Sequence, residues 1–77
     1  MSIGSLLGPL FPELDRPLRA DDSPATLPTW DSLKQTEIVL AVEEALAVDL
    51  TTADIVELRS VGALVGILRR RGLEVEI

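Results

Sequence analysis

A hydroxyl group at the start of the longest helical pattern is the side chain best placed to do chemistry in this sequence. Asp31, Ser32 and Leu33 open that pattern. The first turn of a helix leaves backbone amides unpaired and carries the positive end of the helix dipole, which would stabilise a phosphodiester on Ser32. The chain has no His and no Cys, so a His-dependent catalytic dyad or triad, a catalytic thiol and a thiolate metal site are excluded. Ser32 is therefore predicted to be an attachment point, with no catalytic residue and no metal.

A purely structural role for Ser32 competes with this interpretation. Serine is a favoured N-cap residue, and Ser32 followed by Gln35 fits the capping-box pattern. Asp31 could orient an incoming enzyme or its metal ion. The triplet alone does not separate a cap from an attachment site, so its surroundings must decide.

The helix that follows, over residues 32–47, has two distinct faces. Residues at three- and four-residue spacing predict a buried face, made of Gln35, Ile38, Val39, Val42 and Leu46. Roughly opposite lies a second face that alternates apolar and acidic residues, made of Leu33, Glu37, Leu40 and Glu44. Because a purely solvated face would lack the leucines, this second face is a candidate contact surface.

The rest of the chain predicts an all-α fold, a small four-helix bundle with a long loop between helices one and two. The first helix is predicted to be short, because Gly8 and Pro9 weaken it and Pro12 ends it. The remaining elements are a proline-rich loop over 12–30, a short third helix over 52–58, a fourth helix over 61–71, and a tail over 73–77 that is either frayed or a strand. Thr51 and Asp54 fit a capping box at the start of the third helix.

Composition restricts the possible partners. Seventy-seven residues are enough for one domain, 1–77, with a modest core. The net charge is −6, and residues 31–54 contain six acidic residues and only one basic residue. This charge argues against nucleic acid and favours partners with basic surfaces. The apolar start, residues 1–11, lacks a basic region and is too short for a membrane span, so a cytoplasmic protein that does not bind a membrane is expected.

From about Leu27 to Leu68 the layout resembles the acyl carrier protein family. The resemblance depends on Asp-Ser-Leu at 31–33, the sequence TEIVLAVEEAL at 36–46, and Val-Asp-Leu-Thr-Thr at 48–52. It implies that Ser32 receives 4′-phosphopantetheine from coenzyme A through a phosphopantetheinyl transferase, with Asp31 and Leu33 flanking it. It also implies a carrier, not an enzyme, which acyl-loading and acyl-processing enzymes such as a ketosynthase or an acyltransferase recognise through Leu33, Glu37, Leu40 and Glu44, with Glu57 beside them.

Trp30 departs from the family pattern, which usually has a small residue there. The sequence Trp-Asp-Ser-Leu resembles discrete carriers of specialised metabolism, which implies polyketide, antibiotic or related biosynthesis by a monomeric carrier. Trp30 is expected either to pack at the edge of the core or to border the arm and contact a partner. An aminoacyl or peptidyl carrier and an acidic helical adaptor that carries nothing remain as alternatives.

Overall fold

Four α-helices and the loops between them make up the protein. The computed structural model describes all 77 residues. After α1 a 3₁₀ turn covers Gly8–Leu10, and the only β-pairing is an isolated parallel bridge between Ser2 and Glu76. The helices are α1 (Ile3–Leu7), α2 (Ser32–Leu46), α3 (Thr52–Glu57) and α4 (Val61–Arg70). The predicted all-α architecture, with short first and third helices and a long loop before α2, is confirmed.

Side-chain caps fix where the short helices begin. Thr51 and Asp54 form a reciprocal capping box, with Asp54 N donating to Thr51 Oγ1 at 3.1 Å and Thr51 N donating to the Asp54 carboxylate at 3.0 Å. The Ser60 hydroxyl accepts from Ala63 N at 3.0 Å and caps α4. These bonds satisfy amides that a helix of six or ten residues would otherwise leave unpaired.

The core lies between α4 and the other elements. Helix α4 buries five side chains, whereas α2, although longer, fully buries only Ile38 and Val42. The other predicted inward residues of α2 are half-buried. Most of the α2 surface therefore remains available for other contacts.

The loop before α2 is held in place by a buried carboxylate. Asp22 is 2% exposed and is the only charged residue in the core. Both of its oxygens accept from the Arg16 guanidinium at 2.9 Å, and Arg19 N donates to it at 2.8 Å. The Arg16 hydrogen bonds, partly opposed by burial, lower the pKa of Asp22 to about 2. Backbone bonds from Val61 N to Asp22 O and from Gly62 N to Ala20 O join the loop to α4.

The tail after Gly72 is not frayed. Ile3 N donates to Glu76 O at 2.8 Å, and Glu76 N donates to Met1 O at 3.0 Å. Val75 is 4% exposed, and its carbonyl accepts from Arg69 Nε at 3.0 Å. The alternation of apolar and acidic residues thus places an apolar side chain in the core and lets the backbone pair with the N-terminal segment.

Candidate functional site

The start of α2 is capped by Asp31 and not by Ser32. Asp31 has an extended backbone (φ −104°, ψ −168°), and its Oδ1 accepts from Lys34 N at 2.9 Å. The predicted capping box of Ser32 and Gln35 is therefore wrong. Aspartate and serine are both good caps, and here the helix begins at Ser32, one residue earlier than that box requires.

The Ser32 hydroxyl is exposed and makes no hydrogen bond within the protein. Only its backbone carbonyl is engaged, accepting from the Thr36 hydroxyl at 3.2 Å. The backbone amides of Ser32 and Leu33 have no partner in the protein either. A free hydroxyl next to unpaired amides at the positive end of a 15-residue helix fits an attached phosphodiester.

Ser32 borders an open groove of about 560 Å³ on the protein surface. Its walls are the loop segment 23–25, the first turn of α2, and the end of α3 with Arg59. Apolar side chains, among them Ile55 and Val56, supply part of the wall. An elongated, partly apolar group attached to Ser32 would therefore find a surface to lie against.

Trp30 lies in the core beside this groove. It is 4% exposed, its ring packs against Phe11 at 5.9 Å between centroids, and its Nε1 donates to Gln35 Oε1 at 2.7 Å. Gln35 Nε2 in turn donates to Leu58 O at 3.2 Å. The prediction that Trp30 contacts a partner is at odds with this burial. Because both its ring and its N–H are satisfied internally, Trp30 positions the start of α2 against α3.

The second face of α2 is accessible to solvent. Leu33 is 67% exposed and Leu40 is 58% exposed, although most leucines of the chain are buried or half-buried. Glu37 lies 3.6 Å from the Lys34 ammonium, whereas Glu44 is exposed and has no ionic or hydrogen-bonding partner. Two exposed leucines and one unpaired carboxylate form a surface suited to protein contacts.

Glu57 points towards α4 and not towards the second face of α2. Its carboxylate lies 2.5 Å from the Arg70 guanidinium, while Asp54 pairs with Arg71. The pKa of Asp54 is lowered by the hydrogen bond from the Thr51 backbone and by Arg71. Arg70 and Arg71, at the end of α4, therefore pair with the two carboxylates of α3.

Two α3 residues beside the groove were missed by the sequence reasoning. Ile55 also lines a smaller groove of about 160 Å³ shared with Leu40, and Val56 is 62% exposed. A helix of six residues offers too few positions for periodicity to separate its exposed side from its buried side. Only the packing of α3 on its neighbours identifies Val56 as an outward apolar residue.

The structure contains no cluster of three or more acidic, His or Cys side chains arranged to hold a metal ion. None of its helices has the length and apolar character required to cross a membrane.

A small helical bundle with a free serine hydroxyl at the start of α2 defines a carrier-type protein. Residues 30–68, just over half of the chain, match the family model described as a phosphopantetheine attachment site, and the chain belongs to this acyl carrier protein family. Its prosthetic group is 4′-phosphopantetheine, and proteins of this family are carriers that work with partner enzymes and are not themselves enzymes. The predicted family and cofactor are confirmed.

One solved structure is similar over most of both chains. It is a Mycobacterium tuberculosis protein described provisionally as an acyl carrier protein, with a TM-score of 0.67 and 19% identity. The similarity covers 90% of this chain and 86% of the other. At this identity the match establishes the fold alone. No curated protein sequence matches the chain.

Proposed function

We propose that the protein holds biosynthetic intermediates as thioesters on a 4′-phosphopantetheine arm attached to Ser32. The observation that carries this proposal is the exposed Ser32 hydroxyl, which has no internal partner because Asp31 caps the helix. When bound, the arm supplies the thiol that the polypeptide lacks. A tethered intermediate meets each partner at a high effective concentration.

The residues around Ser32 have separate roles in this proposal. Asp31 keeps the first turn formed, and its second carboxylate oxygen is free to orient the transferase or its metal ion. Leu33 and Leu40, with Glu37 and Glu44, form the α2 face for partner enzymes. Encounters through exposed charges are weak and salt-sensitive, which suits a carrier that must leave after each step.

The wider setting is also a proposal. The whole chain, 1–77, acts as one monomeric carrier domain in the cytoplasm, where coenzyme A and a phosphopantetheinyl transferase supply the arm. A ketosynthase or an acyltransferase of a polyketide, antibiotic or related specialised pathway then loads and processes the cargo. The Trp-Asp-Ser-Leu sequence supports this setting. An aminoacyl or peptidyl carrier differs only in its cargo.

The loss of the capping role weighs against the adaptor alternative. That alternative explains Ser32 as a helix cap, but the cap is Asp31. The adaptor alternative is therefore left without its explanation of Ser32.

Mass spectrometry tests the proposal directly. The apo protein is incubated with coenzyme A and a broad-specificity phosphopantetheinyl transferase, and the intact mass is measured. Wild type should gain one arm, and Ser32→Ala should gain none. Unmodified wild type, or equal modification of Ser32→Ala, contradicts the proposal. Protein purified from its native host would report an acyl or an aminoacyl cargo through the attached mass.

A further inference from the structure

The carboxylates of α2 and α3 are unequally available to a partner. Glu43 accepts from Leu50 N at 2.9 Å, and Glu37 lies against Lys34. Asp54 and Glu57 are paired with Arg71 and Arg70. The exception is Glu44, which is exposed and has no such partner. Negative charge that a partner can use is therefore concentrated near the end of α2.

The α3 surface is close to neutral or slightly positive. Its two carboxylates pair with Arg70, the last residue of α4, and with Arg71, which follows it. Arg59, which follows α3, adds a third cation without an acidic partner. Exposed ion pairs contribute little to stability, but they cancel the local field that a basic partner would sense. An approaching basic surface is thus attracted by Glu44 and not by α3.

The exposed feature that α3 does offer is apolar. Val56 is 62% exposed and lines the groove that Ser32 borders. Leu40 of α2, 58% exposed, lines a smaller neighbouring groove that shares Ile55 with the first. A partner that reaches for a group on Ser32 must come close to Val56.

We propose that α3 contacts partner enzymes through the apolar side chain of Val56 and contributes no net negative charge, so that Glu44 supplies the charge recognition. The matching partner surface has a Lys or Arg opposite the end of α2 and an apolar recess beside the arm. This inference depends on the proposed function, because it concerns the enzymes that act on Ser32.

The loading of Ser32 by a broad-specificity phosphopantetheinyl transferase provides the test, with kcat/KM measured at low and at raised sodium chloride. The apo protein carries no arm, so a lower kcat/KM reports on contact between the protein and the enzyme.

Val56→Thr, nearly equal in shape, should lower kcat/KM by about fivefold without changing its salt dependence. Glu44→Gln should lower it at low salt and flatten the salt dependence. Glu57→Gln should stay within about twofold of wild type at every salt concentration.

Ile77→Thr is the matched control, because Ile77 is 39% exposed and lies at the termini, away from the groove. Urea unfolding midpoints of all variants should agree, which excludes folding defects. Loading of Val56→Thr at the wild-type rate, or a flattened salt dependence for Glu57→Gln, overturns the inference and leaves the proposed function intact. Failure of wild type to accept the arm overturns both.

Discussion

The indole Nε1 of Trp30 donates to Oε1 of Gln35 at 2.7 Å, and this bond joins the end of the long loop to the second turn of α2. Gln35 continues the connection to the carbonyl of Leu58, just after α3. A single glutamine on the inner face of α2 thereby fixes three segments that surround Ser32.

Trp30→Phe should lower the free energy of unfolding by about 1–2 kcal/mol, because it removes the indole N–H and leaves a half-buried amide oxygen without its donor. A double-mutant cycle with Gln35→Met should give a coupling energy of about 1 kcal/mol, measured by urea unfolding. Additive effects of the two substitutions would show that the bond contributes nothing to stability.

Removing the cap should be more costly than removing the attachment hydroxyl. Asp31→Ala should destabilise the protein by about 1 kcal/mol, because Lys34 N loses its acceptor. Ser32→Ala should change the free energy of unfolding by less than about 0.5 kcal/mol. Asp31→Asn keeps a capping oxygen and serves as the control. A larger loss for Ser32→Ala than for Asp31→Ala would restore the serine as the cap.

Lowering the pH should reduce the free energy of unfolding, because Asp22 in the loop before α2 becomes protonated. The pKa of Asp22 is about 2 in the folded protein against an ordinary 3.8, so Asp22 stabilises the fold above about pH 4 and loses this contribution as the pH falls towards 2. The difference corresponds to about 2 kcal/mol. Urea unfolding of wild type and Asp22→Asn should differ by about that amount at neutral pH.

The same comparison at low pH provides the check. The pKa values of Glu13 and Asp54 are also lowered, by the Thr29 hydroxyl and by the Thr51 backbone first of all. Both carboxylates remain in the variant, so their acid sensitivity cancels in the difference. The gap between wild type and Asp22→Asn should close between about pH 4 and pH 2. If the difference in unfolding free energy stays constant over this range, protonation of Asp22 is not coupled to unfolding.

Charge reversal on α2 should affect partner recognition unequally at its two acidic positions. Glu44→Lys should slow loading by about tenfold at low salt, because it replaces the unpaired carboxylate. Glu37→Lys should have a smaller effect, since Lys34 already lies 3.6 Å from Glu37. Circular dichroism should show the fold intact in both variants and in the double variant. If the double variant is loaded and used normally by every partner, this face of α2 is not the recognition surface.

Two glycines of α4 should respond in opposite directions to alanine. A Cβ on Gly62 would lie 3.0 Å from Ala20 O, where the Gly62 amide already donates at 2.9 Å, whereas a Cβ on Gly66 meets nothing within 4 Å. Gly66→Ala should raise the unfolding free energy by about 0.5–1 kcal/mol through helix propensity. Gly62→Ala should lower it by about 1 kcal/mol through crowding. Thermal unfolding of the two variants provides the measurement. If Gly62→Ala is also more stable than wild type, the close approach of Gly62 to Ala20 is contradicted.

The sequence was sufficient for elements whose signals are local. The spacing of Ile38 and Val42 predicts the buried face of α2, and the pair Thr51 and Asp54 predicts the start of α3, because periodicity and capping act within a few residues. The position of Ser32 at the head of α2 follows in the same way.

Features that depend on distant contacts were beyond the sequence. Two adjacent good caps compete at the start of α2, and only the geometry assigns the role to Asp31. The burial of Trp30 depends on Phe11, which directly follows the 3₁₀ turn Gly8–Leu10. The pairing of Glu57 with Arg70 requires α3 and α4 to lie side by side. Each of these relationships depends on tertiary packing that no short pattern encodes.

The open shape of the groove beside Ser32 has a consequence for the lifetime of whatever is attached there. One wall of this groove is the surface loop segment 23–25, and the groove lies open to solvent. A thioester lying there would stay wetted, and we expect it to hydrolyse at nearly the rate of a free thioester in water. Delivery would then require no opening of the bundle, and a pathway using this carrier would have to pass each intermediate on quickly.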